Sequence, residues 1–160
     1  MTDIDKIMQN ALDAFQEYKS VSPAKKADFL DEIAAAIEAK REELVPVAHE
    51  ESNLPLARLN GELTRTINQL KMFARLVLEG SWVEAAIDTA DKDRTPPKPD
   101  TRKMLLPVGP VVVFGASNFP FAFSTAGGDT ASALASGSSV VIKGHSAHAR
   151  TSGLVYEAIY

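Results

Sequence analysis

The chain reads as an α/β protein in which amphipathic helices and a hairpin lead into the first β-α-β unit of a parallel sheet. Three observations predict this. Apolar residues recur at intervals of three and four through residues 1–80, the period of a helix with one buried face. Val111-Val112-Val113-Phe114, framed by Gly109-Pro110 and by Gly115-Ala116-Ser117-Asn118, is a short β-branched and aromatic run, as in a buried parallel strand. A second such run, Ser139-Val140-Val141-Ile142, follows after one stretch of small residues, which gives the order strand, crossover helix, strand.

In chain order, Ile4, Ile7, Met8, Ala11, Leu12 and Phe15 share one face of a first helix, expected to pack inward. Ser22 and Pro23 suit the N-cap and first turn of a second helix. That helix is expected to turn Leu30, Ile33, Ala34 and Ile37 to the core and Lys25, Lys26, Asp31, Glu38 and Lys40 to solvent. Arg41 to Glu51 reads as a third, bent or restarted at Pro46. Asn53 is expected to cap a long fourth helix with the core stripe Leu56, Leu59, Leu63, Ile67, Leu70, Phe73 and Val77, stopped by Gly80. Trp82 to Ile87 reads as a strand, the proline-rich Asp91 to Asp100 as a solvated loop, and Arg102 to Pro107 as a return strand. Phe119 to Ser136 is expected to be helical throughout, with Gly127 and Gly128 allowing close packing, and Gly137 ends it. Thr151 to Tyr160 begins a last helix, whose apolar face (Leu154, Val155, Ile159) is still running at the final residue. Two parallel strands do not make a sheet covered on both faces, so the sequence is expected to be the opening part of a longer protein. The organisation is residues 1–80 helical, 81–107 hairpin, and 108–160 the start of the β-α-β part.

Composition narrows function. Apolar residues make up 45% and charged residues 24%, which fits a soluble globular protein. A net charge of −4 without a basic block argues against nucleic-acid or anionic-membrane partners. No apolar run has membrane-spanning length, and the acidic start Met1-Thr2-Asp3-Ile4-Asp5 lacks the features of a signal peptide, so a cytoplasmic location is expected. There is no cysteine, which excludes a disulfide, a thiolate metal site and a cysteine nucleophile within these residues. His145 and His148 lie three apart, but zinc needs further ligands that the neighbourhood does not suggest, so no metal is expected.

Parallel sheets bind ligands beyond the C-terminal ends of their strands. Here those ends carry Asn118, a neutral amide donor, and Lys143, a cation. Taken alone, Asn118 suits the cap of a following helix, and Lys143 suits a solvated strand end.

The wider pattern is more specific. Val108 to Ser124 (VGPVVVFGASNFPFAFS), Gly127 to Gly137 (GGDTASALASG) and Val140 to His148 (VVIKGHSAH) together resemble the NAD(P)-dependent aldehyde dehydrogenase superfamily. Within it they are most similar to the α-ketoglutarate semialdehyde (2,5-dioxovalerate) dehydrogenases and NADP-linked fatty aldehyde dehydrogenases. Glu51 to Pro55 and Gly61 to Leu70 match as well. The resemblance implies the start of a Rossmann-like NAD(P)-binding unit at residues 108–160 and a hairpin that helps join subunits of a homo-oligomer. The catalytic domain, with its cysteine nucleophile and glutamate base, is absent, so the chain alone is expected to be inactive.

The implied reaction oxidises a small-molecule aldehyde, such as α-ketoglutarate semialdehyde, to a carboxylate. Asn118 would then donate to the developing oxyanion. Phe114, Gly115, Ala116 and Ser117 would line the cofactor cleft with His145, and Lys143 would contact the adenine-side ribose. Ser117 stands where many members carry tryptophan. Ser146 stands where NAD-preferring members often carry glutamate, and a hydroxyl there tolerates a 2′-phosphate that a carboxylate would repel. NADP is therefore the expected cofactor, with NAD possible. Arg150 suits either a 2′-phosphate or solvent. The alternatives are a non-catalytic nucleotide-binding or interaction module ending at Tyr160, or a superfamily enzyme acting on acyl phosphates or other activated aldehydes.

Overall fold

The computed structural model describes residues 2–160. Four helices, α1 (Asp3–Tyr18), α2 (Pro23–Ala39), α3 (Arg41–Ser52) and α4 (Leu56–Glu79), precede an antiparallel pair, β1 (Ala86–Asp88) and β2 (Thr101–Lys103). Strand β3 (Val111–Phe114), helix α5 (Gly128–Ser136), strand β4 (Val140–Lys143) and helix α6 (Ala149–Ile159) follow. β3 and β4 are parallel, with Val111 opposite Val140 and Phe114 opposite Lys143. The mixed architecture is the α/β start that the patterning predicts.

The core lies where α2 crosses α4. Leu30, Ala34 and Ile37 meet Leu59, Leu63 and Leu70, each at most 1% exposed. Burying such a leucine is worth about 1.5–3 kcal/mol. Leu44 and Ala48 of α3, Ala131 of α5 and Val155 of α6 close the cluster. The Ser22 hydroxyl accepts from the Lys25 N–H at the start of α2. Gly80 ends α4 at φ 81°, a conformation that costs a glycine little.

Six expectations are corrected. The apolar face of α1 does not pack inward: Ile4 is 71% exposed, Ile7, Met8 and Leu12 are exposed, and Ala11 is the buried residue of this helix. The 3.6 period reports which face is apolar, not whether another element covers it. Tyr18 and Ala11 tether α1, through Tyr18 Oη donating to the Leu134 carbonyl (3.1 Å) and Ser139 Oγ donating to the Ala11 carbonyl (2.6 Å). Burial pushes the Tyr18 phenol up to about 12.

Lys26 is buried rather than solvated, with its ammonium 5.6 Å from the centre of the Tyr18 ring. A long aliphatic stem and a ring face for the cation make that tolerable, while desolvation lowers its pKa. Asn53 does not open α4; it ends α3 in the left-handed region (φ 56°), which asparagine tolerates, and Pro55 precedes α4. Leu56, in the first turn of α4, is exposed.

Trp82 sits in a 3-10 turn (Ser81–Val83), and the hairpin strands are shorter than the sequence suggests. The Leu105 N–H nevertheless donates to the Val83 carbonyl (2.7 Å) beyond them. Finally, residues 119–127 are a series of turns, and helix begins at Gly128. Their carbonyls are used elsewhere: that of Phe123 accepts from Ala116 N–H (2.8 Å) and that of Ala122 from Gly128 N–H (3.0 Å). One long i→i−4 bond, from the Phe123 N–H to the Phe119 carbonyl (3.4 Å), is recorded here, and no helical ladder builds on it. Among the described residues no helix is long and apolar enough to cross a membrane.

Candidate functional site

The parallel register sets the ends of β3 and β4 side by side. The Gly115 N–H donates to the Lys143 carbonyl (3.0 Å), one step past the last paired residues. A side chain on Gly115 would press on His145, whose backbone nitrogen lies 3.2 Å from the Cβ position. Phe114 (71% exposed), Ser117, Asn118, Lys143 and Ser146 face solvent, and Gly115, Ala116 and His145 are half-buried. His145 Nδ1 accepts from Ala147 N–H (3.1 Å), and Ser146 opens a 3-10 turn. The groove between β3 and α5 takes in Phe114 alone of these residues; the polar ones lie outside it.

The loop after β3 is pinned from several sides. Ala116 N–H bonds to Phe123, as above, and the Ala116 carbonyl accepts from His148 Nε2 (2.7 Å). A carbonyl only accepts, so in the neutral ring the proton sits on Nε2 and Nδ1 accepts from Ser152 Oγ (3.3 Å). Ser124 Oγ lies 3.1 Å beyond, next in the buried chain. Arg58 Nη2 of α4 donates to the Asn118 carbonyl (2.7 Å), with its guanidinium 5.0 Å from the centre of the Phe119 ring.

Glu62, one turn along α4 and 6% exposed, holds the next segment: its Oε1 accepts from Phe121 N–H (2.8 Å) and Ala122 N–H (2.9 Å). Its Oε2 is buried without a partner among the described residues. Phe119 and Phe123 meet edge to face at 5.1 Å, and the Arg65 guanidinium lies 5.3 Å from the centre of the Phe123 ring. Replacing Glu62 with alanine strips two buried N–H groups of their acceptor, each worth about 1–3 kcal/mol when left unsatisfied. Glu62→Ala is therefore expected to lower stability by about 2 kcal/mol or more in denaturant titration of the full-length protein. An unchanged midpoint would show that water replaces the carboxylate.

Arg150 is engaged with Glu50 (3.3 Å). Glu51 caps α6 through Arg150 N–H (2.9 Å) and Thr151 N–H (2.8 Å). Burial raises the Glu51 carboxyl, but those N–H bonds, the Thr151 hydroxyl and the Arg150 charge leave it below its ordinary value. No cluster of three or more metal-ligating His, Cys, Asp or Glu side chains occurs among the described residues. His148, read from the sequence only as a partner for His145, is instead a fully buried tether for the loop.

Sequence reasoning missed Glu62 and Arg58. One signal was available: Glu62 shares a helical face with Leu59, Leu63 and Thr66, so a carboxylate falls inside the buried stripe.

Comparison with known proteins places this geometry. The family model described as "Aldehyde dehydrogenase family" matches residues 1–160. Alpha-ketoglutaric semialdehyde dehydrogenase 2 of Azospirillum brasilense is 51% identical over 158 residues, covering 98% of this chain and 30% of that protein. The alpha-ketoglutaric semialdehyde dehydrogenase of Acinetobacter baylyi is 51% identical over 160 residues, covering 99% and 30%. The chain thus spans about 30% of the length of these relatives. The NADP-dependent glyceraldehyde-3-phosphate dehydrogenase of Bacillus halodurans, solved with NADP, superposes with a TM-score of 0.84 at 21% identity, covering 98% of this chain and 32% of that one. Strand ends, loop and helices together match along the whole chain, and the chain belongs to the aldehyde dehydrogenase family.

Proposed function

We propose that the chain is the cofactor-side, N-terminal part of an enzyme that oxidises a semialdehyde, α-ketoglutaric semialdehyde first, to the carboxylate with NADP+ or NAD+. The observation that supports this is the tethered loop that carries Asn118, four residues past the end of β3, whose last residue Phe114 pairs with Lys143 at the end of β4. A neutral amide held on a braced loop suits donation to an oxyanion, because it needs neither a change of protonation nor reorganisation. The identity to semialdehyde dehydrogenases supports the substrate.

The nicotinamide cofactor supplies the hydride acceptor. Phe114, Gly115, Ala116, Ser117, Lys143, His145 and Ser146 would hold it. The exposed strand ends fit a dinucleotide, and Lys143 has no ion-pair partner among the described residues to compete with it. The exposed β1–β2 hairpin suits subunit contact in a homo-oligomer, and a cytoplasmic location completes the reading.

The test is expression of the full-length protein and assay of α-ketoglutaric semialdehyde oxidation with each cofactor. Cofactor binding without oxidation of any aldehyde would favour the non-catalytic alternative. In the same assay Ser146→Glu is expected to lower the ratio of kcat/KM with NADP+ to that with NAD+ by about fivefold, since like charges at 4 Å repel by about 1 kcal/mol even in bulk water. An unchanged ratio would remove Ser146 from the cofactor site.

A further inference from the structure

Helix α4 presents Arg58, Glu62 and Arg65 toward the segment that follows β3, and the first two are committed to its backbone. Arg65 is not. It is exposed, and among the described residues its side chain makes no ion pair and no hydrogen bond; its recorded neighbour is the Phe123 ring. Arg41, Arg102 and Arg150 are ion-paired, with Glu38, Asp100 and Glu50; Arg75 and Arg94 have no recorded partner either, but Arg65 is the one of these three with its guanidinium recorded against an aromatic ring of the segment after β3.

Resting on the aldehyde-oxidising reading above, we infer that Arg65 reads the carboxylate of the substrate, and so selects acidic aldehydes over neutral ones. The planar guanidinium carries its five donors in a fork that fits a carboxylate in two parallel hydrogen bonds. Lying against Phe123, it is partly shielded from water on one side, which strengthens its pull on an anion.

Its distance along the helix is also suitable. Arg65 stands seven residues from Arg58, about 10 Å of helical rise, and Arg58 grips the carbonyl of Asn118. The edge-to-face pair Phe119 and Phe123 lies between the two arginines. A short acid with its aldehyde at Asn118 and its carboxylate at Arg65 would lay its carbon chain along that apolar pair. A neutral aldehyde would gain the apolar contact and nothing from Arg65.

The experiment compares α-ketoglutaric semialdehyde with pentanal in the full-length enzyme. Arg65→Met is the first variant, because it removes the charge but keeps the length of the stem. The side chain is exposed and unbonded, so the variant is expected to fold, with an unchanged circular dichroism spectrum. The ratio of kcat/KM for the semialdehyde to that for pentanal is expected to fall about 30-fold, mainly through KM, as a charged hydrogen bond is lost. Arg65→Lys is expected to recover part of the ratio, keeping the charge without the fork. Glutarate, tested as an inhibitor against the aldehyde, is expected to weaken by a similar factor in Arg65→Met.

A wild-type enzyme that oxidises the semialdehyde with a ratio insensitive to Arg65→Met, and an unchanged glutarate inhibition constant, overturns the inference and leaves the functional reading standing. Equal losses for both aldehydes also overturn it, since they mark a structural role. A wild-type enzyme that oxidises neither aldehyde overturns the functional reading, and this inference with it.

Discussion

On the proposed function, Asn118→Ala in the full-length protein is expected to lower kcat for aldehyde oxidation by about two to three orders of magnitude, the size of effect when one oxyanion donor is removed. The reason is local. Asn118 is exposed at the tip of the loop after β3, and its backbone, not its side chain, is held by Arg58. Truncating the amide therefore leaves the Arg58 tether in place, along with those at Ala116 and Phe121. Stability should change little, because an exposed side chain with no recorded hydrogen bond is lost. Single-turnover rates, NADP+ affinity and thermal midpoint read the three quantities separately. A drop in kcat with the other two unchanged is the expected result. Wild-type turnover in Asn118→Ala would remove Asn118 from the chemistry.

The largest expected structural effect is that of Gly127→Ala. A Cβ at this position would collide with the Ala122 carbonyl oxygen and stand 2.9 Å from that of Phe121. Both contacts are backbone, so no rotamer change relieves them. The same two residues are clamped by Glu62 through their N–H groups, and Ala122 also accepts from Gly128. The segment therefore has nowhere to yield without breaking bonds. A loss of about 3 kcal/mol, the upper range for overpacking a closed site, is expected in denaturant titration of the full-length protein. Because the strained segment also positions Asn118, kcat should fall with stability, unlike in Asn118→Ala. A Gly127→Ala protein as stable as the wild type would show that the turn relaxes more freely than these contacts allow.

Much of the fold was legible because it is local. The stop at Gly80, the cap at Ser22 and the paired β-branched runs each depend on residues a few positions apart. The strand ends that carry Asn118 and Lys143 were legible for the same reason. The brace behind them was not. Arg58 and Glu62 meet the loop across about sixty residues of chain, as their hydrogen bonds record, and no local period encodes such a meeting.

By itself, the sequence determined the four N-terminal helices, the paired β-branched runs, and which chemical groups stand at the strand ends. Only the tertiary structure decided that the apolar face of α1 stays exposed, that Lys26 is buried, that Glu62 holds the Phe121 and Ala122 N–H groups, and that residues 119–127 form turns rather than helix. Each of those outcomes is a competition among distant groups for the same donors, acceptors and apolar cover. Its winner is set by which segments arrive in contact.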